Sequence, residues 1–128
     1  MKIDSIDHVV FTVKDINATC DFYAKVLGME VVTFGQGRTA LTFGSQKINL
    51  QQLGRESTLV ADKPTSGAAD ICFVTSVSIS EVIAHLNACG VRLVGGPVQR
   101  EGGRGPMTSV YFRDPDMNLV EVSNYSSR

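Results

Sequence analysis

The sequence predicts an α+β fold of two tandem βαβββ modules, whose strands form a curved mixed sheet with a cleft on one side and helices outside. Three observations predict it. Hydrophobic periodicity switches from two to 3.6 and back, twice, in the same order of elements. A polar stretch, 54–67, containing Pro64, separates the two rounds. The chain also matches itself: Asp7-His8-Val9-Val10-Phe11 falls on Ala69-Asp70-Ile71-Cys72-Phe73, and Leu27-Gly28 on Cys89-Gly90. At a longer offset, Thr39–Phe43 falls on Thr108–Phe112, and Asn49-Leu50-Gln51-Gln52 on Asn118-Leu119-Val120-Glu121. The change of offset implies an insertion near Gln99–Gly105. One match arises by chance; the same order of matches in both halves does not.

The elements follow in order. His8–Val13 is a β-branched run and reads as a strand. From Asp15 to Leu27 the apolar stripe Ile16, Cys20, Tyr23, Ala24, Leu27 reads as a helix, capped by Asp15 or Asn17 and stopped by Gly28. Met29–Phe34, Thr39–Phe43 and Lys47–Leu53 read as strands joined by glycine turns. The second round gives a strand at Asp70–Thr75 and a helix from Ser78 or Ser80 to Cys89, stopped by Gly90. Strands are then expected at Arg92–Gly95, Ser109–Phe112 and Leu119–Val122, the last two joined by an Asp114-Pro115-Asp116 turn. The whole chain, 1–128, reads as one domain: module one about 1–53, a linker 54–67, and module two about 68–128.

Composition excludes several function classes. The net charge is −1 and no basic stripe is present, which argues against nucleic acid as a partner. No apolar run approaches a membrane span, and Met1-Lys2-Ile3-Asp4 lacks the apolar stretch of a signal peptide, so a cytoplasmic protein is expected. Cys20, Cys72 and Cys89 are odd in number and form no CxxC pair, which predicts free thiols packed as small apolar groups. His85, on the second helix, reads as a surface residue.

Alternation along the strands sets what faces the cleft. His8, Val10 and Thr12 share one face, and the repeat puts Asp70, Cys72 and Val74 in the equivalent place. The longer offset makes Gln52 and Glu121 equivalent. Four donor-bearing side chains, His8, Gln52, Asp70 and Glu121, thus fall at matched points of the two halves. Ser109 and Tyr111 share a face and are candidates to hydrogen-bond a substrate. The glycine-rich segment Gln99–Pro106 reads as a mobile lid in which Arg104 could meet a substrate carboxylate.

Ile6–Phe11, the helix end Phe22-Tyr23-Ala24-Lys25-Val26-Leu27-Gly28-Met29, and Gly105–Asp116 resemble the vicinal oxygen chelate superfamily over nearly the whole chain. That superfamily includes glyoxalase I, fosfomycin-resistance and bleomycin-resistance proteins, ring-cleaving dioxygenases and an epimerase. The resemblance implies metal ligands from the first and last strands of each module: His8, Gln52, Asp70 and Glu121. Asp70 stands where His is usual, and Gln52 where bacterial glyoxalase I carries Glu. One imidazole, one amide and two carboxylates suit a divalent ion such as Ni²⁺, Co²⁺, Mn²⁺, Zn²⁺ or Fe²⁺. By resemblance Glu121 is also the catalytic base. The implied reaction is a glyoxalase-like proton transfer through an enediolate on a 2-oxoaldehyde–thiol adduct, with glutathione as a candidate thiol and a homodimer as the assembly. Fosfomycin-resistance-like thiol transfer and non-enzymatic trapping of a small molecule, as in bleomycin resistance, are the competing expectations. The two-His-one-Glu dioxygenase site is disfavoured because His8 is the only His of the quartet.

Overall fold

The computed structural model describes residues 1–126. Two compact units divide at Gly67/Ala68, and each is a βαβββ module with its own mixed four-stranded sheet. Among the described residues no helix is long and apolar enough to cross a membrane.

The first unit contains β1 (His8–Val13), α1 (Ile16–Leu27), β2 (Glu30–Phe34), β3 (Arg38–Phe43) and β4 (Gln46–Gln52) in spatial order β1-β4-β3-β2. β1 runs parallel to β4, and the other pairs are antiparallel. The helix forms where the sequence signals it. The Asp15 carboxylate accepts the Ala18 N–H at 3.0 Å, satisfying one donor that the first turn leaves orphaned. Gly28, at φ 67°, ends the helix with its N–H on the Ala24 carbonyl. Between them Thr19, Cys20, Tyr23 and Val26 recur at helical spacing, are buried, and cover one face of the sheet with Phe11, Val13, Leu41, Ile48 and Leu50.

The second unit repeats the plan: β5 (Asp70–Val74), α2 (Ile79–Ala88), β6 (Gly95–Gly102), β7 (Gly105–Arg113) and β8 (Leu119–Tyr125), in order β5-β8-β7-β6, with β5 parallel to β8. Ser78 caps α2, accepting the Glu81 N–H and donating its hydroxyl proton to the Glu81 carboxylate at 2.8 Å. Leu86 of α2 is buried, as are Val110, Phe112, Val120 and Val122 on the helix-covered face of this sheet. His85 is exposed on α2, and all three cysteine thiols are free.

Two expectations are corrected here. The strand expected at Arg92–Gly95 begins at Gly95 and runs to Gly102. The segment expected to be a mobile lid is the end of a long hairpin: Gln99 pairs with Thr108, Arg100 with Met107 and Gly102 with Gly105. The glycines signal flexibility in the sequence, yet they build a two-residue turn, Gly103-Arg104. Tyr125 pins that turn. Its hydroxyl accepts the Arg104 N–H at 3.2 Å, and the Arg104 guanidinium lies 4.4 Å above its ring.

The Asp114–Asn118 turn joins β7 to β8, and its polar residues Asp114, Asp116 and Asn118 are buried. Asp114 Oδ1 accepts the backbone N–H of Asp116 and of Asn118, and Oδ2 accepts the Asn118 side-chain amide at 2.9 Å. Asn118 Oδ1 in turn accepts the Ala69 N–H at 2.8 Å, directly before Asp70. The turn therefore fixes the start of β5 against the start of β8.

Candidate functional site

In the second unit the ladder brings chemistry-bearing residues to the sheet face away from α2. Cys72 lies opposite Glu121 across β5–β8, Tyr111 opposite Glu121 across β7–β8, and Ser109 opposite Ser123. A shallow, wide-open cleft of about 510 Å³ lies on this face, lined by Asp70, Arg100, Tyr111, Arg113 and Glu121 among others. Gly95 forms part of its wall, where a Cβ would touch the Tyr111 ring at 3.4 Å.

Glu121, on β8, is half-buried. The Tyr111 hydroxyl accepts the Arg100 Nε–H at 3.0 Å, and Tyr111 stands opposite Glu121 across the β7–β8 ladder. Burial pushes the Tyr111 phenol above its ordinary range; hydrogen bonding from Arg100 opposes this and the nearby Glu121 carboxylate adds to it. Ser123 donates to Glu121 Oε2 at 3.3 Å. Burial likewise raises the Cys72 thiol; Ser123 opposes this, and the Glu121 and Asp70 carboxylates reinforce it. At neutral pH both Tyr111 and Cys72 keep their protons.

The first unit presents a different set. His8 is exposed at the start of β1, and its Nδ1 lies 2.7 Å from Asp7 Oδ2. The hydrogen bond to His8 holds the Asp7 carboxyl below its usual range. An Asp7 carboxylate on Nδ1 is the arrangement by which a carboxylate orients a metal-binding imidazole through its other nitrogen. Asn49, on the same sheet face as His8, is 5% exposed, and its Oδ1 has no hydrogen-bond partner among the described residues. Phe34 carries two cations over its ring, Arg38 at 4.8 Å and Lys47 at 4.0 Å.

A sequence profile of the Glyoxalase/Bleomycin resistance protein/Dioxygenase superfamily matches residues 5–122. The chain belongs to that superfamily. It is 51% identical to virulence protein STM3117 of Salmonella typhimurium over 98% of this chain and 87% of that one; the crystal structure of STM3117 superposes with a TM-score of 0.97 over 98% and 100%. An integron cassette protein from the V. cholerae mobile metagenome is 54% identical with a TM-score of 0.96, covering 98% of both chains. Glyoxalase domain-containing protein RDO1 of Mycosarcoma maydis is 51% identical over 98% of this chain and 70% of that one. More distantly, metallothiol transferase FosB of Staphylococcus epidermidis is 27% identical over 95% of this chain and 82% of that one. Two solved structures show the shared fold: a lactoylglutathione lyase from Agrobacterium tumefaciens (24% identity, TM-score 0.74, 97% and 96% covered) and a mutant of the fosfomycin resistance protein FosX from Listeria monocytogenes, complexed with Mn(II) (23%, 0.65, 94% and 90%).

In this vicinal oxygen chelate domain the expected site residues separate into groups. Asp70, Glu121 and Tyr111 line one cleft. Arg104 does not join them; it sits at the hairpin turn over Tyr125, lining a separate hollow with Pro106 and Ser126. Arg100, which the sequence places in a loop, is the cation beside Tyr111, because the hairpin extends β6 far enough to carry it onto the cleft face. Ser109 shares that face but is fully buried and bonded to Ser123 at 2.6 Å.

Gln52 lies on the other face of its sheet, which corrects the equivalence drawn from the sequence. His8 pairs with Lys47 and Asp70 with Leu119, so two residues further on Val10 meets Asn49 and Cys72 meets Glu121. Asn49 is thus the register counterpart of Glu121. Gln52 pairs with Val13 on the helix side, and its amide donates to the Lys14 carbonyl and accepts the Ile16 N–H. Its counterpart is Asn124, which donates to the Thr75 and Val77 carbonyls and so clamps the corresponding turn. Gln52→Ala is accordingly expected to lower stability by about 1 kcal/mol through the unclamped turn while leaving divalent-metal affinity unchanged. Thermal melts and a Mn²⁺ titration of the variant check both halves of that statement.

Proposed function

We propose that the protein is a metal-dependent, glyoxalase-like lyase or isomerase that moves a proton along a small 2-oxoaldehyde–thiol adduct. The observation that supports it is Glu121: a half-buried carboxylate in the cleft with Asp70, accepting from Ser123 and standing opposite Tyr111.

His8, Asp70 and Glu121 would hold the ion, with the Asn49 amide at the fourth position where Gln52 was expected. Among the described residues no three His, Cys, Asp or Glu gather into a metal-binding group, so the reading requires the His8 face and the Asp70–Glu121 face to meet, within one chain or across two copies. The donor chemistry fits a hard or borderline divalent ion, and the partnerless Asn49 Oδ1 is an acceptor in want of a partner. When bound, the metal supplies Lewis-acid stabilisation of the enediolate oxygens. Glu121 takes the proton from the carbon bearing the thiol and returns it to the neighbouring carbon, so the reaction is redox-neutral and needs no further reagent. Arg100, steadied by Tyr111, orients an anionic part of the substrate, such as a glutathione carboxylate.

The assembly that suits this reading is a homodimer. β1 and β5 are edge strands that expose Val9, Val10 and Val74, apolar surface that a second copy would cover. A single-chain mass in sedimentation equilibrium would remove the dimer from the account.

A second reading, thiol transfer of the kind named for metallothiol transferase FosB, here to a small electrophile, is favoured by the two guanidinium groups, Arg100 and Arg113, that line the cleft with Glu121. Protein reconstituted with Ni²⁺, Co²⁺, Mn²⁺ or Zn²⁺ and assayed against glutathione hemithioacetals and against epoxide–thiol pairs separates the two. Turnover of the hemithioacetals supports the first reading, adduct formation the second. Tight ligand binding without turnover points to the bleomycin-resistance type of trap.

A further inference from the structure

We propose that Ser123 is the positioning residue for the Glu121 carboxylate, working with Ser109 as a buried hydroxyl relay beneath the cleft; this rests on the reading of Glu121 given above. Both serines are fully buried and stand opposite each other on β7 and β8, on the face that carries Tyr111 and Glu121. The other face of the same two strands buries Val110, Phe112, Val120 and Val122. Apolar side chains would fill the serine positions equally well if packing were all that was required, since a buried hydroxyl costs free energy unless it is bonded.

The proton count fixes the direction of the relay. Each hydroxyl has one proton, and the two oxygens lie 2.6 Å apart. If Ser123 donated to Ser109, Glu121 Oε2 would face a Ser123 lone pair at 3.3 Å, and the Ser109 proton would point at no acceptor among the described residues. The satisfied arrangement is Ser109 donating to Ser123 and Ser123 donating to Glu121 Oε2. Cys72 closes the third side with its Sγ 3.2 Å from Ser123 Oγ. Gly96 crosses close above Ser109: a Cβ there would lie 2.4 Å from the Ser109 carbonyl oxygen. One carboxylate oxygen is thus tied from below, and the other is left for the cleft. A carboxylate held in this way does not rotate when it meets a metal or a proton, and that orientation is what buried partners of metal-binding groups supply.

The test compares Ser123→Thr with Ser123→Val, two side chains of the same shape of which only threonine keeps the hydroxyl. Affinity for Mn²⁺ alone, read by calorimetry on the full chain, is expected to stay within about threefold of wild type in the threonine variant and to weaken about 10–100-fold in the valine variant. Equal affinities in the two variants overturn the positioning role. A parallel Glu121→Gln sample separates this failure from that of the underlying reading: wild-type affinity in Glu121→Gln means that Glu121 is not a ligand at all. If the added methyl unfolds both variants, Ser109→Ala/Ser123→Ala against Ser109→Ala alone makes the same comparison without added bulk. The double variant is expected to bind Mn²⁺ more weakly by the same factor, and equal binding overturns the proposal.

Discussion

Glu121→Gln is expected to lower catalysed proton transfer by about 10²–10⁴-fold, the usual cost of losing a general base, while the protein keeps its fold. Glutamine preserves the shape of the side chain and one oxygen to accept from Ser123, so the hydrogen bond that holds the side chain of residue 121 survives. It removes the negative charge and the basic lone pair on which both metal binding and proton abstraction would depend. The check is kcat/KM for hemithioacetal isomerisation at a metal concentration that saturates wild type and variant alike, beside a thermal melt. A melt close to wild type with turnover within a few-fold would show that another group is the base.

The largest effect on stability is expected from Asp114→Ala. Asp114 is buried and accepts three hydrogen bonds, from the Asp116 and Asn118 backbones and from the Asn118 side chain. Truncation leaves three buried donors without their acceptor, at about 1–3 kcal/mol each when water cannot replace it. A loss of about 3 kcal/mol or more is expected, a fall of roughly 10 °C in Tm for a chain of this size. Asn118 also holds the Ala69 N–H, so the starts of β5 and β8 should loosen together. Denaturant melts measure the loss, and hydrogen exchange at Ala69 and Leu119 locates it. Native-like protection at those two amides would show that the turn does not brace the strands bearing Asp70 and Glu121.

The two modules are legible in the sequence because their physical signals are local. Asp15 and Gly28 bracket one helix and Ser78 the start of the other, and β-branched runs mark the first strands. The pairing of His8 with Asp70 comes from an ungapped match. The errors come from information that is not local. Gln52 and Glu121 match at a single offset in the sequence, but register depends on hairpin geometry. The Asp114–Asn118 turn holds more residues than the Gly44-Ser45 turn it parallels. The match is off by three residues, and any odd slip moves a side chain to the other face of a sheet, so Gln52 goes to the clamp and Asn49 to the cleft-side position. Arg104 stands out over Arg100 in the sequence because a Gly-Gly-Arg-Gly run reads as a loop; only the cross-strand pairs reveal that the hairpin carries Arg100 onto the face of Tyr111. Ser123 gives no signal of its own in the sequence, since a serine two residues after a glutamate acquires meaning only when a second serine lies opposite it.

The central claim is that His8, Asp70 and Glu121 serve one divalent metal. Purified chain, stripped of metal and titrated with Mn²⁺, Co²⁺, Ni²⁺ and Zn²⁺ under elemental analysis, is predicted to take up one ion per chain. Uptake should be lost in each of His8→Ala, Asp70→Ala and Glu121→Ala and retained in Gln52→Ala. A wild-type chain that binds none of the four ions, or one whose uptake survives all three substitutions, contradicts the account.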